Sequence, residues 1–286
     1  MEASPRFAWL RQFPSSLAVR RPALEIVVLG SSGAFRLPEL ACHCPNCEAA
    51  RANPALRRTT MSLWVRGGAS ILLDAGPDLY HQALREGIER VDGIFITHEH
   101  RDHIVGLECL ETLVRLGQKG QPVQVFGPAS FVGRAPGQFD YLLRHNLASF
   151  TSLEPGVTHE FAGYRVTPFP VIHHAISTYG YRVELGGCSL VYVPDLKELP
   201  GGPVDVAPLP EEMLGADLLF VDASFDAGGW VGAGHITWQQ AATLGARSGA
   251  GRTVLIHFSH RVDFAALRRA TNERLLEGYD GQRFSL

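Results

Sequence analysis

The sequence predicts an α/β protein folded as a four-layer αβ/βα sandwich, with two sheets packed face to face and helices outside. Three observations predict it. Apolar runs of strand length alternate with amphipathic segments of helical period along the 286-residue chain. The order of strands and helices in the first half returns in the second. In both halves the polar clusters fall directly after strands, which gathers them at one edge of the sandwich, where an α/β site belongs.

Each element has a local reason. Residues 1–23 read as an N-terminal extension, and "LEIVVLG" (24–30) is a first buried strand. "MSLWVRGGASILLDAG" (61–76) reads as two strands joined by a Gly-Gly turn. "PDLYHQALREGIERV" is helical by spacing, "DGIFIT" (92–97) is a strand, and residues 102–116 form a helix with Ile104, Leu107, Leu110 and Val114 near one face. In the second half "YRVTPFPV", "TYGYRVEL", "SLVYVPD" and "ADLLFVDAS" are strands, "TWQQAATLGARSG" is a helix, "TVLIHFS" a strand and "FAALRRATNERLL" (264–276) the last helix. The Pro/Gly-rich "LPGGPVDVAPLPEE" is a loop, so residues 24–286 make one domain.

Hydrophobic residues make up 45 % of the chain, enough for a large core, so disorder is disfavoured. A net charge of -3 provides no basic field for gripping nucleic acid. No apolar stretch is long enough for an export signal or a membrane span, so a cytoplasmic location is expected. Cys42, Cys44 and Cys47 lie within six residues, a spacing that suits a metal better than a disulfide framework. Cys109 and Cys188 read as small buried hydrophobes.

The stretch "GIFITHEHRDHIVGL" carries the chemistry. An apolar strand stops at Thr97, and His98, His100, Asp102 and His103 follow within six positions. Imidazoles and a carboxylate are donors for zinc, manganese or iron. Alternate residues of an extended segment share a side, so His98 and His100 can face one ion while Asp102 and His103 face a second point nearby. A solvated loop would not be expected to order four such groups directly after a core strand.

"THEHRDH" matches the H-x-H-x-D-H signature of the metallo-β-lactamase superfamily, and "ILLDAG" around Asp74 resembles its early strand motif. The resemblance covers the chain from about residue 24 and implies further ligands after later strands. Asp195 resembles the carboxylate that bridges two metals, and His257 the last histidine ligand. The intervening histidine lies in "VIHHAISTYGY"; related sequences place it six residues before the Gly of a Gly-Tyr pair, which selects His174, with His173 as the alternative from its spacing to Pro170. The implied arrangement is His98, His100 and His174 on one ion, Asp102, His103 and His257 on the other, and Asp195 between. Two such ions would share a hydroxide and clamp a phosphoryl group.

The three thiolates of C-x-C-x2-C need a fourth donor to close a structural zinc, and His260, three residues past His257, is the candidate. His43 is expected to point outward. This Cys-rich knuckle at 42–47 resembles those of PhnP-like phosphodiesterases and of PqqB-like proteins of pyrroloquinoline quinone biosynthesis. The PqqB-like sequences usually lack the first two histidines of the signature; this chain keeps them and ends its last motif in "IHFSH", as the PhnP-like ones do. The resemblance further implies that Asp222 orients His235 as a proton donor to the leaving oxygen, with Asp226 a weaker substitute for Asp222 and a T-x-x-Q capping box at Thr237 and Gln240 the simpler role for that stretch. Asp102 is counted with His235 and Asp222 in the catalytic group.

The expected function is that of a binuclear metal-dependent phosphodiesterase acting on a small cyclic or phosphoribosyl phosphodiester. The alternatives are a PqqB-like enzyme with oxidative chemistry at one ion, and another superfamily hydrolase acting on lactams, thioesters or, like ribonuclease Z, on tRNA. The expected partner is the small substrate, with no membrane, no nucleic acid and a homodimer as the candidate assembly.

Overall fold

The computed structural model describes residues 24–229, 231 and 234–286. The expected extension at residues 1–23 lies outside the described residues. Among the described residues sixteen strands run in chain order as β1 (Glu25–Gly30), β2 (Ser62–Arg66), β3 (Ser70–Leu73), β4 (Gly93–Phe95), β5 (Val123–Gly127), β6 (Ala148–Ser152), β7 (His159–Phe161), β8 (Tyr164–His173), β9 (Ile176–Leu185), β10 (Cys188–Val193), β11 (Glu198–Leu199), β12 (Gly202–Pro203), β13 (Leu218–Asp222), β14 (Arg252–Ile256), β15 (Leu275–Glu277) and β16 (Arg283–Ser285). They form a seven-stranded sheet ordered β16-β1-β2-β3-β4-β5-β6 and a nine-stranded sheet ordered β12-β11-β8-β9-β10-β13-β14-β15, with β7 beside β8.

The apolar strands are buried on both faces, as continuous apolar runs require. In β1, Ile26 and Val28 join Tyr181, Tyr192, Phe220 and Ile256 in the core between the sheets. Val27 and Leu29 of the same strand face the other way, into a second core under the helices. A third core on the outer face of the nine-stranded sheet packs Val191, Val193 and Leu219 against Leu244 and Leu267. These three cores lie between the four layers of an αβ/βα sandwich, the fold class expected from the sequence. Among the described residues no helix is long and apolar enough to cross a membrane.

Three details differ from expectation. The helix over residues 102–116 is broken into α-helical, 3-10 and π turns, although Ile104, Leu107, Leu110 and Val114 are all buried. The cause lies at Gly106, whose N–H leaves the helical ladder to donate to Ala75 O at 2.8 Å. A Cβ there would meet Gly76 O at 2.2 Å, so only glycine permits this approach. The last helix stops at Ala270 because Asn272 Oδ1 accepts from Arg274 N and Leu275 N, turning residues 275–277 into an edge strand. Residues 123–161 hold three strands and two helices that the periodicity did not announce, since β6 ("ASFTS") exposes most of its residues. The capping box at Thr237 and Gln240 is formed as expected, and starts the helix Trp238–Ser248.

Candidate metal centre and active site

Strand direction gathers the site. β3 and β4 are parallel. β8 and β10 both pair antiparallel with β9 and so run the same way, and β10, β13 and β14 are mutually parallel. Asp74, His98, His173, Asp195, Asp222 and His257 therefore stand at the C-terminal ends of their strands, on one rim. Asp74 and His257 both take positive φ, 62° each, so the chain turns sharply there and aims the side chain across the strand end.

Two groups of side chains converge. His98 Nε2 lies 2.9 Å from His100 Nδ1, which lies 3.2 Å from His173 Nε2. In the other group His103 Nε2 is 3.3 Å from Asp102 Oδ2, with His257 Nε2 3.8 Å from the same oxygen. Asp195 puts one oxygen against each group: Oδ1 is 3.3 Å from His173 Nε2, while Oδ2 is 3.0 Å from His103 Nε2 and 3.2 Å from His257 Nε2. His103 Nε2, Asp195 Oδ2 and His257 Nε2 are buried, yet none makes a hydrogen bond. Buried polar atoms seldom stay unsatisfied, and three that point at one another leave room for a cation as their shared partner.

The far side of the rings fits the same reading. His103 Nδ1 lies 2.8 Å from Asp74 Oδ2, His173 Nδ1 2.6 Å from Gly234 O, His257 Nδ1 3.0 Å from Ser224 Oγ and His98 Nδ1 2.9 Å from Thr97 Oγ1. Rings held at one nitrogen present the other in a fixed direction, the usual support of a metal-ligating histidine. Burial drives His98 well below its usual range and His173 down to about 4, so both are neutral donors. His103 is buried too, but Asp74, Asp102 and Asp195 outweigh burial and raise it well above its usual range. Every ion-pair partner of Asp102 and Asp195 among the described residues is a histidine. The rim thus concentrates negative charge that a divalent cation would neutralise.

The structure corrects one residue. His173, not His174, enters the cluster: His173 is 1 % exposed, whereas His174 is exposed and has a φ of 51°. His173 is the last residue of the β8–β9 ladder, paired with Ile176, and shares its buried face of the strand with Val171 and Phe169. His174 and Ala175 form the hairpin turn beyond it.

Beside the cluster, His235 Nδ1 lies 2.9 Å from Asp222 Oδ2 and 3.7 Å from Asp195 Oδ1. Burial opposes a charge on this ring, but Asp222 overcomes it and pushes His235 up to about 9. Asp226 takes no part, since it accepts from Trp238 Nε1 and Asp263 N. A cavity of about 450 Å³ opens at His235 and His257, lined also by Gly33, Phe35, His174 and Phe225. Gly33 is required there, because a Cβ would lie 2.7 Å from His257 Cε1.

The sulfurs of Cys42, Cys44 and Cys47 lie 3.2, 3.5 and 3.6 Å from His260 Nδ1, a four-donor cluster compatible with tetrahedral zinc. His43 is outside it and reaches Glu48 Oε1 at 2.7 Å, as expected. Cys109 and Cys188 are half-buried. Sequence reasoning missed Tyr192, whose hydroxyl donates to Asp74 Oδ2 at 2.9 Å, and also Ser224 and Gly234. Nothing in a buried strand marks Tyr192 as polar support, and Gly234 acts only through its carbonyl.

Comparison with known proteins identifies the family of the fold. The Porphyromonas gingivalis protein named octanoyltransferase is 25 % identical over 268 residues, covering 90 % of this chain and 51 % of that protein. The chain therefore spans about half the length of that relative. A ribonuclease Z of Bradyrhizobium diazoefficiens is 25 % identical over 291 residues, covering 79 % of this chain and 94 % of that one. The crystal structure of a diphosphatase of the PhnP family superposes with a TM-score of 0.79 at 27 % identity, covering 92 % of this chain and 97 % of that one. The family model described as the beta-lactamase superfamily domain matches residues 69–258, and it is to this superfamily that the chain belongs.

Proposed function

We propose that the chain is a metal-dependent phosphodiesterase that hydrolyses a small phosphodiester at a pair of divalent cations. The observation that carries the reading is the convergence of His103 Nε2, Asp195 Oδ2 and His257 Nε2, buried and without hydrogen bonds, beside Asp102 and Asp195, whose ion-pair partners among the described residues are histidines. His98, His100 and His173 would hold one cation, Asp102, His103 and His257 the other, and Asp195 would serve both. Zinc and manganese suit this oxygen and nitrogen donor set, and iron is compatible with it. Cys42, Cys44, Cys47 and His260 would hold a third, structural zinc.

When bound, the paired cations supply a nucleophilic water at neutral pH and neutralise charge on the phosphoryl oxygens. The chain's own residues do the rest. Asp222 receives His235 Nδ1–H, Ser224 and Leu196 N, which fixes the carboxylate on all sides. His235 held this way keeps Nε2 toward the cavity and can give a proton to the departing alkoxide. The cavity admits a small ester, which favours a small substrate, a cyclic or phosphoribosyl ester among them.

The test combines metal counting with a panel of phosphodiesters, cyclic phosphates, diphosphates, lactams, thioesters, acyl esters and precursor tRNA. Phosphodiester turnover that needs two ions per rim is expected. His235→Ala should slow an ester with an alkoxide leaving group far more than a nitrophenyl ester, because an activated phenolate needs no proton. Equal losses on both would remove the proton-donor role. One redox-active ion at the rim and no hydrolysis would instead support the PqqB-like reading, while preference for thioesters or tRNA would replace the phosphodiester.

A further inference from the structure

We propose that Ser224 is a positioning residue that sets which nitrogen of His257 carries the proton, and so makes His257 Nε2 available to a cation. The inference rests on the metal centre proposed above and goes beyond it by assigning a residue outside the ligand set.

Ser224 Oγ is buried against three polar atoms of two residues. It lies 2.6 Å from Asp222 Oδ1, 3.0 Å from His257 Nδ1 and 2.8 Å from His257 O. A hydroxyl has one proton, and the shortest contact is to a carboxylate, where a charge-assisted bond is strongest. The one hydroxyl proton goes to an oxygen, Asp222 Oδ1 or His257 O, so toward the ring Oγ presents a lone pair and accepts from Nδ1–H. The proton on Nδ1 leaves Nε2 with a lone pair, aimed at Asp195 Oδ2, 3.2 Å away, and that nitrogen is one of the buried atoms without a hydrogen bond. Gly33 lies against the same ring, where a Cβ would come within 2.9 Å of Nδ1, so its lack of a side chain leaves the imidazole in contact with Ser224.

Without the hydroxyl the preference reverses. The other tautomer would put a proton on Nε2, where Asp195 Oδ2 is in reach, and a cation would have to displace it. Asp222 loses little, because Oδ1 still accepts Ser224 N at 3.0 Å and Oδ2 still accepts Leu196 N at 3.0 Å. One carboxylate thus serves both functions of the site: Oδ2 orients His235, and Oδ1 orients His257 through Ser224.

The experiment is long-range 1H–15N NMR of the full-length, chelator-treated protein at about pH 8, with His257→Gln used to assign the ring signals. The wild type should show the Nδ1–H form of His257. Ser224→Ala should shift it toward Nε2–H, and Ser224→Thr should restore Nδ1–H. Competition with a zinc chelator should show affinity for the rim ion at His257 lowered roughly 10–100-fold in Ser224→Ala and recovered in Ser224→Thr. An unchanged tautomer in Ser224→Ala, or a shift that Ser224→Thr does not reverse, overturns the proposal. The NMR result stands whether or not the rim proves to bind metal, so failure of the metal reading would show separately, as absent zinc competition in the wild type.

Discussion

Asp74 is the most informative place to perturb the site without touching a proposed ligand. Its carboxylate is fully buried and accepts from Thr97 N at 2.8 Å, from Thr97 Oγ1, from His103 Nδ1 at 2.8 Å and from Tyr192 OH at 2.9 Å. Asp74→Asn keeps the shape and changes one oxygen to an NH2 group. The amide oxygen will stay on Thr97 N, whose direction is fixed, so the NH2 group faces His103 Nδ1 and Tyr192 OH. The tyrosine hydroxyl can rotate and accept. In the neutral state a metal ligand needs, the imidazole can accept only by moving its proton to Nε2, the atom aimed at the proposed cation site. One charge-assisted hydrogen bond is lost, worth about 1.5–3 kcal/mol of stability. Loss of such support typically weakens metal affinity by about 10–100-fold. Urea unfolding of the chelator-treated protein and zinc competition on the native protein measure the two effects. A variant that keeps wild-type zinc affinity, or that loses affinity only in proportion to a global loss of folded protein, would refute the tautomer argument.

Other perturbations follow from the same geometry. Cys44→Ser should remove one zinc per chain and lower Tm, since structural zinc sites contribute on the order of 10 kcal/mol of apparent binding energy; unchanged zinc content and Tm would exclude the thiolate site. His173→Ala should lose a rim ion in metal analysis while His174→Ala retains it, and the opposite result would restore the assignment read from the sequence. Asp280 is raised above its usual value by burial, although Thr59, Ser31 and Arg85 pull the other way. A raised folded value means that its contribution to stability is complete below about pH 4, the ordinary carboxyl value, and fades as pH rises through the shifted one. Asp280→Asn should therefore flatten the stability profile above that pH in urea titrations, and a profile parallel to wild type would contradict the burial effect.

Much of the architecture was legible because burial on two faces leaves a plain signature. β1, β10, β13 and β14 are nearly continuous apolar runs, and each was readable from composition alone. The edges were less legible. β6, β15 and β16 are short and half-exposed, and the pairing of β16 depends on a partner far away in sequence: it closes the first sheet beside β1, with Ser285 opposite Glu25. No local pattern in "RFS" carries that information. The break in the 102–116 helix is similar, because its cause is the backbone of residues 75–76 pressing on Gly106 rather than anything in the helix.

The choice between His173 and His174 shows why the site was legible in type but not wholly in position. Counting residues back from the Gly-Tyr pair measures distance along the chain, whereas a strand presents side chains by parity. In β8 the buried row near its end is Phe169, Val171 and His173, and the ladder closes where His173 pairs with Ile176. The two residues between must make the turn, so His174 takes a left-handed φ and leaves that row. Ile172 hid this parity, since an isoleucine in a strand invites burial and here is 40 % exposed. The metal-binding motif in the first half needed no such reasoning, because His98 and His100 alternate and their neighbour Glu99 faces Arg134 instead of the cluster. Where ligands follow a strand directly, spacing alone places them; where they precede a hairpin, the register of the turn decides.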